Sequence, residues 1–170
     1  MSANYKGYGL TWNPLPDDLA PAQARIAAIL DAWKGTPYMG GQQVRGVGVD
    51  CVRFCSSVMD EIERKPKTPI ETLPPDAALH TREGAMSVMR LIRASYMPNV
   101  QVKDGQLQPG DVIVVGPRGG GPGHAMIVGG RTGEIWHASR SGVVRTGTSF
   151  ADDNFELFRI YRKEGRETWL

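Results

Sequence analysis

A cysteine at a predicted helix start is the residue of this sequence best suited to covalent chemistry. Cys51 follows Asp50 at the end of a glycine-rich loop, and an apolar helical pattern begins beyond it. Asp is a preferred N-cap residue, so Cys51 should lie in the first turn, where free N–H groups and the helix dipole favour an anion. Such surroundings lower the pKa of a thiol. We therefore predict that Cys51 is a nucleophile, whereas Cys55, one turn further on, is predicted to be a core residue.

A thiol nucleophile needs a base, and the base needs a group that orients it. His124 opens one predicted strand, and His137 lies near the end of another. If the two strands pair across the turn at 129–133, the histidines become cross-strand neighbours that can share a hydrogen bond. The pattern thus supplies a candidate base and orienting group. The third histidine, His80, lies in a polar connection and is interpreted as solvated.

The elements that must position these residues are helices in the first half of the chain and strands in the second. Apolar residues at helical spacing predict helices over 21–34, from Asp50 to just before Pro66, and around 85–92. Five short apolar segments separated by turn residues predict antiparallel strands at Val112–Val115, Ala125–Val128, Glu134–Ala138, Gly142–Arg145 and Phe155–Arg162. We predict an α+β fold in which N-terminal helices pack on a C-terminal antiparallel sheet of about five strands.

The 170 residues fit one domain. Residues 1–19 show no sustained period and are predicted to form an N-terminal arm. The remaining residues, 20–170, are predicted to form a single domain with an inserted loop and helix at about 66–108. No internal repeat or low-complexity segment divides this domain.

Charge and composition argue against several classes of function. The 20 basic and 18 acidic residues leave a net charge of +2 with no clustered basic stretch, which argues against nucleic-acid binding. No apolar run is long enough to span a bilayer, and the first residues have no apolar signal region. We expect synthesis in the cytoplasm without a signal peptide. The two cysteines, one helical turn apart, are predicted to be reduced thiols.

Five short motifs together resemble the NlpC-type cysteine peptidases, papain-like bacterial and phage enzymes that cut the peptide stems of peptidoglycan. They follow one another in the order of that family over much of the chain. The motifs are Gly35-Thr36-Pro37-Tyr38 with Gly40-Gly41, Gly48-Val49-Asp50-Cys51, Pro109-Gly110-Asp111-Val112, Gly123-His124-Ala125-Met126-Ile127-Val128 and Ile135-Trp136-His137-Ala138-Ser139.

The resemblance implies a papain-like fold, a peptidoglycan stem peptide as substrate, and no cofactor or metal. It makes Cys51 the nucleophile, His124 the general base and His137 the residue that orients the imidazole of His124. Tyr38 matches a family tyrosine whose hydroxyl lies near the thiol and helps to polarise the scissile carbonyl.

The sequence departs from the family pattern directly after the cysteine. The family usually has Ser-Gly there, whereas this chain has Val52-Arg53. The change should alter the packing behind the nucleophile and bring a cation close to substrate carboxylates. We therefore predict that Arg53 and Asp50 contribute to substrate binding.

Other interpretations of the same residues remain open. One is an acyltransferase or deamidase that uses the cysteine and histidine on a protein or lipid substrate, and another is a catalytically silent structural module of a phage tail. A zinc site built from Cys51, His124 and His137 is less favoured, since no ligand pair has a typical local spacing. A cell-wall substrate also requires a route to the wall: host lysis, delivery in a phage tail, or a secretion-apparatus partner.

Overall fold

The computed structural model describes residues 11–12, 20–66, 99–101, 106–120, 122–131, 133–146 and 155–163. The helices are α1 (Pro21–Trp33) and α2 (Cys51–Glu63), and the strands are β1 (Thr11–Trp12), β2 (Gln43–Val44), β3 (Gly48–Val49), β4 (Asn99–Gln101), β5 (Gln106–Leu107), β6 (Val112–Pro117), β7 (His124–Val128), β8 (Ile135–Ser139), β9 (Gly142–Thr146) and β10 (Phe155–Lys163). Neither helix of these ranges combines the length and hydropathy that crossing a membrane requires.

Helix α1 begins where the sequence predicts, because Pro21 suits a first turn, in which its missing N–H is not needed. The Gln23 side chain reaches back to accept a hydrogen bond from the Ala20 backbone N–H (2.8 Å). One face of α1 is buried, and Trp33 at its end donates from Nε1 to Glu61 Oε1 of α2 (2.8 Å). This bond and the buried face fix α1 against α2.

Helix α2 is the central element of the core. Every residue from Cys51 to Asp60 is buried, because α2 packs on α1 along one side and on β7 and β8 along another. It ends at Arg64, which adopts the left-handed conformation (φ 57°) while its backbone N–H still bonds to the last turn. The helix start therefore lies against the middle of the sheet.

The main sheet has the strand order β4-β10-β6-β7-β8-β9, and all neighbouring strands are antiparallel. Its five long strands are those predicted from the sequence, and the α+β fold is confirmed. The sheet has a sixth strand, β4, which pairs with β10 at the edge. This strand was not predicted, because its three residues are too few to show an alternating pattern.

The motif Pro109-Gly110-Asp111-Val112 has a structural role at the start of β6. Asp111 is fully buried, and its carboxylate accepts hydrogen bonds from Arg162 Nε (2.9 Å) and Nη2 (2.8 Å) on β10. Its Oδ2 also accepts from the Gln108 backbone N–H (2.8 Å). This two-point ion pair ties the centre of the sheet to its neighbouring strand.

Two turns of the sheet pack closely on the N-terminal half of the chain. The β7–β8 turn lies so near α1 that a Cβ atom at Gly130 would overlap the Gln23 carbonyl oxygen and lie 2.9 Å from the Ala27 nitrogen. Next to the β8–β9 turn, Val143 exchanges two backbone hydrogen bonds with the 35–36 segment, one from the Gly35 N–H (2.9 Å) and one to the Thr36 oxygen (2.8 Å). These contacts hold the glycine-rich loop against the sheet.

Part of the predicted domain organisation lies outside the described residues. This applies to the predicted helix around 85–92, to His80 and to most of the N-terminal arm. Within the described ranges, β1 pairs in parallel with β5. The division into an arm (1–19) and a single domain (20–170) with an insert at about 66–108 stays a prediction.

Candidate active site

The carboxylate of Asp50 joins the start of α2 to the glycine-rich loop. Its Oδ1 accepts a hydrogen bond from the Arg53 backbone N–H (2.9 Å), which makes Asp50 the predicted N-cap. Its Oδ2 accepts from Arg53 Nη1 (2.6 Å) and from the Gly41 backbone N–H (3.0 Å). One carboxylate therefore fixes both the helix and the loop in front of it.

Arg53 and Asp50 form a buried ion pair at the start of α2. We expected the Arg53 cation to face substrate carboxylates, but the side chains of Arg53 and Asp50 are each only 2% exposed and form an ion pair with each other. A buried carboxylate requires a compensating cation or donors, and the residue three positions along a helix lies on the same face. The geometry gives this pair a role in shaping the helix start, and a contribution of either residue to substrate binding stays a prediction.

The Cys51 thiol lies at the junction of α2 and β7. The backbone N–H groups of Ala125, Val52 and Cys51 itself lie near its sulfur and favour the thiolate, and the residue is 1% exposed. Ala125 directly follows His124, so the sulfur of the nucleophile candidate lies beside the strand residue next to the base candidate. The roles of Cys51 and His124 as nucleophile and base stay predictions.

The prediction that the pKa of the Cys51 thiol is lowered is wrong for the substrate-free protein. Burial, followed by the charge of Asp50, raises its pKa to about 12, while the backbone donors act in the opposite direction. The helix-start environment exists as predicted, but loss of hydration outweighs it because α2 and β7 enclose the sulfur. Cys51 is therefore a neutral thiol at pH 7. Cys55 is a fully buried core residue with a free thiol, as predicted.

His124 and His137 form a hydrogen bond between Nε2 and Nδ1 of 2.8 Å, with their rings edge to face. The β7–β8 register pairs Ile127 with Trp136, so the two histidines are diagonal neighbours on one face of the sheet. Burial, and then the neighbouring His137, lowers the pKa of His124 to about 3. Burial also lowers the pKa of His137. Both imidazoles are therefore neutral at pH 7, and one must donate to the other.

Tyr38 is positioned by a backbone bridge to Val49, the residue before Asp50. Burial, followed by proximity to Cys51 in its thiolate form and to Asp50, raises the pKa of the half-buried phenol to about 12, and Arg140 acts in the opposite direction. These interactions place the phenol within electrostatic range of the thiol. Its hydroxyl keeps its proton at neutral pH and can donate a hydrogen bond.

Known sequences and known structures give different results for this chain. Neither a protein-family model nor a curated protein sequence matches it. Among solved structures, it is similar to NlpC1 of Trichomonas vaginalis over 87% of this chain and 46% of that one (16% identity, TM-score 0.56). NlpC2 of the same organism matches over 86% of this chain and 49% of its own (16% identity, TM-score 0.56).

A third similar structure is the NlpC/p60 domain of the peptidoglycan hydrolase SagA, with 20% identity and a TM-score of 0.52. The alignment covers 82% of this chain and 97% of that domain. The chain has the NlpC/p60 fold. It spans about half the length of the two Trichomonas proteins and nearly all of the SagA domain. The fold expected from the five motifs is therefore confirmed.

Among the six predicted site residues, His124 and His137 are hydrogen-bonded to each other, and Tyr38 lies in electrostatic range of Cys51. The other two, Asp50 and Arg53, form the buried pair at the start of α2. Sequence reasoning missed Arg140, which lies in electrostatic range of Tyr38. An arginine in an exposed turn gives no local signal, and only the contact between the β8–β9 turn and the glycine-rich loop brings it to the site.

The arrangement of the described residues does not support a zinc site built from Cys51, His124 and His137. In the part of the chain that the structure describes, no group of three or more His, Cys, Asp or Glu side chains is arranged so that it could hold a metal ion. The histidine pair instead uses one nitrogen of each ring for the bond between them.

Proposed function

We propose that this protein is a cysteine peptidase that hydrolyses amide bonds in peptidoglycan stem peptides. The observation that carries the proposal is the position of the Cys51 sulfur near the backbone N–H of Ala125, the residue that follows His124, together with the hydrogen bond between His124 and His137. The NlpC/p60 fold supports it, and one similar structure is a domain of a peptidoglycan hydrolase.

The first step follows from the neutral state of both partners. Cys51 attacks the scissile carbonyl carbon while its proton passes to Nδ1 of His124, so that charge develops only as the new bond forms. His124 Nε2 carries a hydrogen in this tautomer and donates it to His137 Nδ1. His137 therefore holds the ring in place and stabilises the imidazolium.

The tetrahedral intermediate places a negative charge on the former carbonyl oxygen. Backbone N–H groups at the start of α2 are donors in the right region, and Tyr38 supplies a protonated hydroxyl. His124 then protonates the leaving amine and the C–N bond breaks, leaving a thioester on Cys51. Water attacks this thioester, passes a proton to His124, and releases the acid and the thiol.

The test is digestion of several purified peptidoglycan types, followed by mass analysis of the fragments. The wild-type protein should release free acids and amines from stem peptides, and Cys51→Ala should release none. Cys55→Ala is the matched control, because it removes the other buried thiol one turn away and should leave the cleavage pattern unchanged. Activity that survives Cys51→Ala would overturn the proposal.

The same experiment separates hydrolysis from acyl transfer. Transfer to an added amine would give adducts with the mass of that amine, whereas hydrolysis gives only free acids. A protein that yields neither product from any cell wall would fit a silent structural module.

For action at the cell wall, host lysis, phage delivery or dedicated secretion would each provide the route.

A further inference from the structure

Arg140 occupies the turn between β8 and β9, directly beyond the strand that carries His137. The turn has a defined shape, because Ser139 Oγ donates to the Gly142 oxygen (3.0 Å) and accepts from the Ser141 backbone N–H (3.1 Å). Arg140 itself is exposed. Its side chain therefore projects from a fixed backbone at the end of a catalytic strand.

This turn is joined to the loop that carries Tyr38. The two backbone hydrogen bonds between the 35–36 segment and Val143 span the gap between them. The Arg140 charge is close enough to act on the phenol of Tyr38, which in turn lies in range of the Cys51 sulfur. Arg140 is therefore at the rim of the candidate active site.

The charge of Arg140 is not compensated within the described ranges. It makes no hydrogen bond or ion pair there, whereas Arg45, Arg53, Arg131, Arg145 and Arg162 each contact a carboxylate. In the site, the Asp50 carboxylate is buried and already paired with Arg53, and the two histidines are neutral at pH 7. The guanidinium thus leaves this side of the site with a positive charge that faces solvent.

We propose that Arg140 forms an anion subsite that binds a carboxylate on one of the two residues joined by the scissile amide. A guanidinium matches a carboxylate in planar, two-point geometry, so it distinguishes an acid from the isosteric amide. The substrate class is then a stem peptide with a free carboxylate beside the cleaved bond, as opposed to its amidated form. This inference rests on the proposed function and concerns its specificity.

The test uses two pairs of synthetic stem peptides that differ only in a carboxylate or carboxamide. One pair carries the change on the residue that supplies the scissile carbonyl, and the other carries it on the residue that supplies the amine. Wild-type protein should show a kcat/KM about tenfold higher for the acid in one pair, the size expected for a charge-assisted contact. Arg140→Gln should reduce that preference to about twofold or less, and Arg140→Lys should retain part of it.

Arg131→Gln is the control, since it removes the same charge at the β7–β8 turn on the opposite end of the strand and should keep the preference. Calorimetry repeats the comparison without catalysis. It measures the binding of the same peptides to Cys51→Ala and to the double variant Cys51→Ala/Arg140→Gln. Two outcomes would overturn this inference alone. In one, the wild-type protein cleaves the acid and the amide equally well; in the other, Arg140→Gln keeps the full preference for the acid. Failure to cleave any of the four peptides or natural peptidoglycan would overturn the proposed function and this inference together.

Discussion

The Asp50 carboxylate and the Arg53 guanidinium form a buried ion pair of 2.6 Å, three residues apart on the helix that carries the candidate nucleophile. Arg53 stands where the NlpC-type pattern usually has a glycine, so the pair is a feature of this chain. Its carboxylate also accepts a hydrogen bond from Gly41. The pair therefore replaces the packing of small residues with a charged link between the helix and the loop.

We expect Arg53→Met to lower the free energy of unfolding by about 3–5 kcal/mol, because it leaves the Asp50 carboxylate buried without its cation. Urea denaturation followed by tryptophan fluorescence measures this loss. The double variant Asp50→Asn/Arg53→Met removes both charges and should lose clearly less than Arg53→Met alone. A loss below about 1 kcal/mol for Arg53→Met would contradict a structural role for the pair.

Acidification should destabilise the protein from near-neutral pH downwards. The pKa of His124 is lowered to about 3 in the folded state from 6.5, so between these values the unfolded chain binds more protons than the folded one. The free energy of unfolding should fall by about 1.4 kcal/mol per pH unit below about 6 for this single group. Urea denaturation at several values between pH 7 and pH 5 tests this slope, and His124→Gln should make it shallower. Equal slopes in the two proteins would show that His124 is charged in the folded state.

Alkylation of Cys51 by iodoacetamide should be slow at pH 7 in the folded, substrate-free protein. The thiol is 1% exposed and its pKa is raised to about 12. The reaction is therefore limited both by access of the reagent to the sulfur and by the small fraction of thiolate. Peptide mass analysis should show a rate that still rises above pH 9. In urea, Cys51 and Cys55 should react at similar rates. A rate that levels off below pH 7 would instead indicate a preformed thiolate–imidazolium pair.

The pH profile of kcat/KM for stem-peptide cleavage should be flat between about pH 5 and pH 9. That profile reports ionisations of the free enzyme, and neither the base, with a pKa of about 3, nor the thiol, with a pKa of about 12, titrates in this range. Initial rates at low concentrations of a peptide whose own charge is constant provide the measurement. A bell-shaped profile centred near neutral pH would contradict the neutral state of the Cys51 thiol and the His124 imidazole in the free protein.

Gly130→Ala should destabilise the protein by about 1–3 kcal/mol, because a methyl group there forces the β7–β8 turn away from α1. Thermal unfolding detects the change. Gly40→Ala is the control: a Cβ atom at that position has no heavy atom within 4 Å, so its stability should change by less than about 0.5 kcal/mol. Similar losses of stability in the two variants would show that the close approach of the turn to α1 at Gly130 does not itself destabilise Gly130→Ala.

The main parts of the fold could be predicted from local patterns. Apolar spacing defines α1 and α2, short apolar segments between turn residues define the five long strands, and the positions of His124 and His137 on neighbouring strands predict their contact. These features depend on residues that are near in sequence or on one simple pairing. The short strand β4 gave too few residues for such a pattern.

The electrostatics of the site could not be predicted in the same way. The pKa of Cys51 depends on its enclosure by β7, which comes from a distant part of the chain, and the helix start alone suggested the opposite direction. The orientation of Arg53 depends on the competition between solvent and the Asp50 carboxylate. The place of Arg140 depends on how the β8–β9 turn contacts the glycine-rich loop.

The enclosure of Cys51 also affects how long the protein keeps its nucleophile under oxidising conditions. Peroxide attacks the thiolate and must reach the sulfur, so a buried neutral thiol is oxidised slowly to sulfenic acid. Such a resting state would protect the nucleophile of the proposed peptidase until it meets its substrate. In the proposed reaction, the substrate must therefore expose this sulfur as well as bring the carbonyl to it.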